Sequence, residues 1–289
     1  MQIIAVPVHS PLDRVRQGLG SLPPFSPVLN RLLASLSGED VFLAEVADLI
    51  EKDTVLTGNV LQLVNSALYA RRGQVSSVRH AISLIGLARI RNFVIGLSLN
   101  RIWSSLSSPP NWSRAQFSQH SVASGMLADL LAAELPVEYP EGAFAAGLLQ
   151  NIGVLLIAAC LPPEFEQIRA IYLHRDSPLE KCESAVLGFD HSGLSTLAVE
   201  HWRLPRPIQD AIALHSCPPP CPDGAIPLAL LLRFAEILAA QRGVPIQPWI
   251  RPLDQSPAEI AASLALPPAP DPLIESFEAE FAAVKQFFL

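Results

Sequence analysis

The sequence of 289 residues predicts an all-α protein. Apolar residues recur at spacings of three and four along most of the chain, whereas strand-like alternation is confined to Ile3, Ile4, Val6 and Val8 around Pro7. One central stretch, Glu141–Cys160, is apolar nearly all the way round, which places it inside a helical core.

The elements follow in order. Val28, Leu29, Leu32, Leu33 and Leu36 form a first stripe, entered after Pro23-Pro24 and closed by Gly38; Leu43, Val46, Leu49 and Ile50 form a second. Asp53 suits the N-cap of a helix with Val60, Leu61, Val64 and Leu68 on one face. Ser77 suits that of a short helix through Val78, Ile82 and Ile85, which Gly86 closes. From Gly86 to Trp103 a longer helix turns Leu87, Ile90, Val94 and Leu97 inward, and SSPPNWS at 107–113 has the composition of a break between units. A helix from about Trp112 to Leu135 then carries His120. Pro162 and Pro178 start further helices, Asp190 caps one holding His191 and His201, Pro205 starts one ending at His215, and Ile226–Gln241 holds Glu236 near its end. The terminal helix repeats Phe277, Phe281, Val284 and Phe288, a stripe that needs a core or a partner to dock on.

Two amides, Gln150 and Asn151, interrupt the middle of the central apolar stretch. Phe144, Leu148, Asn151 and Leu155 share one stripe and Ala143, Ala146, Gln150, Val154 and Ile157 the next, so no solvent face remains and both amides are expected to be buried and hydrogen-bonded. The stretch is long enough to cross a bilayer. Its amides, its glycines and the Pro162-Pro163 stop favour the core of a soluble protein, and MQIIAVPVHS lacks the basic flank of a signal peptide.

Hydrophobic residues make up 50% of the chain and charged residues 16%, enough to bury a substantial core. A net charge of −7 argues against nucleic acid as the main partner. The charge is uneven, however: Thr54–Ala128 holds no acid but seven arginines, at 71, 72, 79, 89, 91, 101 and 114. They pair with acids elsewhere in the fold, or else Arg71, Arg72, Arg89 and Arg91 form an exposed patch for an anionic partner. The four cysteines show no disulfide framework and fit a cytoplasmic protein. Three prolines between Cys217 and Cys221 favour an extended segment that holds them roughly 12 Å apart at ~3.1 Å per residue, too far for one zinc ion.

LPPFSPVLNRLLASLS, AEVADLIEKDTVLTGNVLQLVNSALY and VSSVRHAISLIGLARIRNFVIGLSL, in that order, resemble the N-terminal half of an HDOD domain. The resemblance continues through FSQHS, AFAAGLLQNIGVLLI, LGFDHSGLSTLAVEHWRLPRPIQDAIALH and LLRFAEILA, covering about Ser21 to Gln241. It implies an N-terminal helical subdomain (21–106, after an extension at 1–20) packed on a degenerate HD-like helical subdomain (112–241), with a proline-rich segment and amphipathic helix at 242–289.

HDOD domains are relatives of the HD phosphohydrolases, in which a His, a His-Asp pair and a final Asp hold a divalent metal that makes hydroxide available near neutral pH. By that resemblance His120 matches the first His, Gln150 and Asn151 the His-Asp pair and Glu236 the last Asp, while His191 and His215 fall where HD-GYP enzymes have further ligands. Glutamine has no ring nitrogen and asparagine no charge, so the pair departs from the pattern, and no GYP tripeptide is present. The expectation is a non-enzymatic signalling module of the bacterial cytoplasm without a cofactor, binding a protein or a small anionic ligand. The alternatives are a phosphohydrolase using a single residual divalent ion on His120, His191, His215 and Glu236, or a nucleotide sensor using the same pocket.

Overall fold

A computed structural model describes residues 10–37, 43–69, 74–175, 177–220, 224–252 and 255–289. Among them no strand forms, and one isolated bridge joins Val137 to Ile226. The alternating residues 2–8, Gly38, Arg71, Arg72 and Cys221 lie outside the described residues.

The first half consists of α1 (Pro11–Gly20), α2 (Pro27–Ala34), α3 (Leu43–Glu51), α4 (Thr54–Val64), α5 (Val78–Ile85) and α6 (Leu87–Ser104). Asp53 and Ser77 cap α4 and α5 as the sequence predicts, and Gly86 ends α5 at φ +90°, a conformation that favours glycine. Leu68 is exposed rather than part of the α4 face, because Asn65 ends that helix by bonding the backbone of Val75 from both ends of its amide. Leu43, at the first position of α3, is exposed as well.

The second half comprises α7 (Arg114–Glu134), α8 (Ala143–Leu149), α9 (Ile152–Cys160), α10 (Pro162–His174), α11 (Leu179–Leu187), α12 (His191–His201), α13 (Arg206–Leu214) and α14 (Leu228–Gln241). After it come α15 (Pro257–Ser263) and α16 (Asp271–Val284). The sequence reading lacked α1 and α15, although Ser10 with Asp13 and Ser256 with Glu259 each form a capping box with proline at the helix start.

Helix α7 packs against α8 and α14, α9 against α12, and α13 against α12 and α14. Glycine sets how closely these helices approach. A Cβ on Gly125 would lie 2.9 Å from Phe144 O, one on Gly147 would lie 2.8 Å from Ser124 O, and one on Gly153 would collide with the carbonyl of His191. The central segment 140–160 is long and apolar enough to span a membrane, but its apolar surface is largely buried against the rest of the protein.

The terminal stripe docks on the chain's own core. Phe277, Phe281, Val284 and Phe288 are buried, α16 lies against α7, and the Phe288 ring sits edge-on to Phe93 and close to Gly96. Phe277→Ala is therefore expected to lower the stability measured by urea unfolding by about 3–5 kcal/mol, the cost of a large cavity in a core. An unchanged midpoint would show that α16 contributes nothing to the core.

Candidate functional site

The central helix is not continuous: it breaks at the amide pair. Gln150 ends α8, and Asn151 leaves helical geometry at φ −101°, ψ 12° before α9 begins. Both are buried, but their surroundings differ, because consecutive helical positions diverge by about 100°. Asn151 points at His120 of α7 and Glu236 of α14, whereas neither side-chain polar atom of Gln150 has a hydrogen-bond partner among the described residues. The expectation that both amides are paired holds for Asn151 alone, and there only for its nitrogen.

The donors and acceptors of this group fix one another. His120 Nδ1 faces the Val244 carbonyl at 2.7 Å and so carries the proton, which leaves Nε2 as an acceptor. Asn151 Nδ2 lies 3.2 Å from His120 Nε2 and 3.2 Å from Glu236 Oε1; both are acceptors, so the amide gives one hydrogen to each. Arg233 Nη1 closes the chain, reaching Glu236 Oε2 at 3.2 Å and Glu180 Oε1 at 3.3 Å. Burial holds His120 below the ordinary imidazole pKa and so keeps it neutral. Burial also opposes ionisation of Glu236, but Arg233 and the surrounding His215, His120 and His191 together outweigh it and hold the carboxyl down at about 2.

His191 and His215 stand beside this chain with ring centroids 5.4 Å apart. His191 opens α12, whose N-cap is Asp190, and the close approach at Gly153 brings that helix start against α9. A left-handed turn at Gly188 lets the chain reverse after α11, so that Glu183 accepts from both the backbone N–H and Nδ1 of His191, at 2.8 and 2.7 Å. Burial disfavours charge on His191, yet the Glu183 carboxylate outweighs it and raises the pKa to about 9. His215 has no such partner: Nδ1 faces Ile212 O at 2.7 Å and burial pulls it down to about 4. The Nε2 atoms of both rings are buried without a hydrogen-bond partner among the described residues.

A cavity of about 490 Å³ opens over the group, with His120, Asn151, His191 and Glu236 deep inside and Arg175 and Arg251 exposed among its lining. A divalent metal of the HD kind does not fit these side chains. The amide nitrogen of Asn151 bridges the imidazole and carboxylate that would share an ion, and the described residues hold no cluster of three or more His, Cys, Asp or Glu arranged for one.

Sequence reasoning missed Glu183, Glu180 and Arg233. Arg233 was accessible, since LLRFAEILA puts it three residues before Glu236 on one helical face. Nothing in PLEKCESAVLGFDH marks Glu183 as the one buried acid. Of the arginine patch, Arg89 is tied to Glu280 at 2.9 Å and Arg91 is half-buried beside Asn92. Arg79 and Arg101 pair with Asp48 and Asp53, just ahead of the acid-free segment.

His120, Asn151 and Glu236 are thus gathered from facing helices, and Gln150 is not. Residues 22–218 match the HDOD domain, and the chain belongs to that family. It is similar in fold to an HDOD domain protein of unknown function from Geobacter sulfurreducens, with 24% identity, a TM-score of 0.75 and coverage of 96% of this chain and 98% of that one. A candidate phosphohydrolase from Shewanella amazonensis SB2B shares 21% identity at a TM-score of 0.71, over 96% of this chain and 98% of that one. An uncharacterized protein of Treponema pallidum (strain Nichols) is 22% identical over 220 residues, 76% of this chain; the chain spans 42% of that relative's length.

Two measurements test the site. Asn151→Leu leaves His120 Nε2 and Glu236 Oε1 without their shared donor and is expected to destabilise the protein by about 1–3 kcal/mol in chemical denaturation; no change would mean that the amide is not holding the group together. By NMR titration, the His191 ring is expected to titrate near pH 9 and His215 near pH 4. The raised His191 pKa contributes stability that is complete below its unfolded value of 6.5 and lost as pH rises through about 9; the depressed His215 pKa contributes above 6.5 and is lost as pH falls toward about 4. Coincident titration of the two rings near 6.5 would contradict the Glu183 pairing.

Proposed function

We propose that this HDOD protein is a non-enzymatic regulatory module that acts by binding, either a protein in a signalling pathway or a small anionic ligand. The observation that carries the reading is the Asn151 amide between His120 Nε2 and Glu236 Oε1. An N–H donor there satisfies the groups that a hydrolase would turn toward a cation, and Arg233 already neutralises the remaining carboxylate oxygen. Hydroxide generation at neutral pH needs a Lewis acid of higher charge than an amide or a guanidinium supplies.

The cavity supports the small-ligand form of this reading. Arg175 and Arg251 make no ion pair among the described residues, and Arg251 lies 5.9 Å over the Tyr172 ring, so its guanidinium is held near the pocket and free to meet phosphate or carboxylate oxygens.

Purified protein incubated with manganese or magnesium and desalted is expected to retain substoichiometric metal by mass spectrometry and to leave bis(4-nitrophenyl) phosphate and 4-nitrophenyl phosphate unhydrolysed. Stoichiometric metal together with turnover that disappears in His120→Ala would overturn the reading and restore the phosphohydrolase.

A further inference from the structure

Helix α7 serves a second cavity on its other side. Val122, Met126, Asp129, Leu130 and Ala133 line it at helical spacing, and His120 falls roughly opposite that face at about 100° per residue. The space is about 330 Å³, walled by Leu63, Phe93 and Phe144 and, from the C-terminal segment, by Val284 and Phe288. Tyr69, Ile85, Arg89 and Glu280 also line an adjoining groove of about 380 Å³, so the Arg89–Glu280 ion pair stands on the wall the two spaces share.

Asp129 is the unusual member of this lining. Asn92 Nδ2 donates to its Oδ2 at 3.1 Å, and Asp129 makes no ion pair among the described residues: Arg89 is held by Glu280, and Arg91 directs Nε to Asn92 Oδ1 at 3.4 Å. A carboxylate has about four acceptor positions, and the second oxygen of the half-buried Asp129 is accessible to a donor entering the cavity. Burial pushes the Asp129 carboxyl above the ordinary range, against the opposing pull of Arg91 and the Asn92 hydrogen bond. Asp129 and Glu280 are the two carboxylates of the lining; Glu280 is engaged by Arg89, and the Arg91 guanidinium behind the wall favours the charged form of Asp129 without forming an ion pair with it. Tyr69, Phe93, Phe144 and Phe288 add aromatic rings, whose faces attract cations.

We propose that this cavity binds a small hydrophobic cation, an alkyl- or arylamine, with its ammonium group on Asp129 and its apolar body among Phe93, Met126, Phe144 and Phe288. The ammonium meets the accessible oxygen of Asp129, and the body lies against the apolar walls. Because Glu280, Val284 and Phe288 form one wall, occupancy also secures the docking of α16, so binding raises the melting temperature. The site is independent of the His120 group and of any anion bound there.

Calorimetric titration and thermal melting of the full chain with phenethylamine, 2-phenylethanol and 3-phenylpropionate, at one pH and ionic strength, test it. Phenethylamine is expected to bind about tenfold or more tightly than either analogue, as a charge-assisted hydrogen bond implies. Asp129→Asn should bring amine and alcohol to within about twofold of each other. Ala133→Trp, at an exposed rim position, should weaken the amine about tenfold while melting like wild type without ligand. Equal or tighter binding of the carboxylate, or an amine preference that survives Asp129→Asn, overturns the proposal. If Asp129→Asn does not fold, unaltered amine binding by Ala133→Trp overturns it.

Discussion

The close approach of backbone to backbone at Gly125, Gly147 and Gly153 is the constraint on which the rest of the structure depends. With hydrogen in place of Cβ, α7 and α8 meet at main-chain distance, and the first turn of α12 lies on the first turn of α9. A helix pair separated by ordinary side chains stands 8–10 Å apart axis to axis. A Cβ at any of these three positions would force the backbones apart, moving His120 away from Asn151 and His191 away from the same pocket. The hydrogen-bonded group is therefore a consequence of packing, and the glycines are as much a part of it as the polar side chains.

Given that approach, the polar chain from Val244 O through His120, Asn151, Glu236 and Arg233 to Glu180 solves a burial problem. A carboxylate taken out of water must find charge or donors, or else take up a proton. Glu236 finds both, one oxygen on an amide and the other on a guanidinium, and stays ionised. Glu183 finds two N–H donors on His191. Asp129, only half-buried, takes one hydrogen from Asn92 and keeps an oxygen open to a chamber lined by rings, which distinguishes the cavity beside α16 from an ordinary packing defect.

The fold was legible because it rests on local signals. The periodic stripes of α2, α6 and α16 identify buried faces, and Asp53, Ser77 and Asp190 cap the helices they precede. The candidate site was legible only in part. His120, Asn151 and Glu236 converge as the family resemblance implies, but the fate of Gln150 could not be read, because it depends on a break in the helix that hydropathy does not register. Arg89 likewise finds its acid 191 residues away, on a helix whose orientation follows from how its phenylalanines dock.

By itself, then, the sequence determined an all-helical HDOD chain with a central apolar segment, and it determined that the pair at 150 and 151 carries neither imidazole nor charge. These are properties of residue type and spacing, which every copy of the chain carries whether folded or not. Tertiary structure alone decided which amide joins the site, which of the acids on α11 is buried, and which cavities the two sides of α7 face. Those outcomes turn on distances of a few ångströms between segments far apart in sequence. Such distances are set by the summed packing of all the helices, so no local pattern contains them.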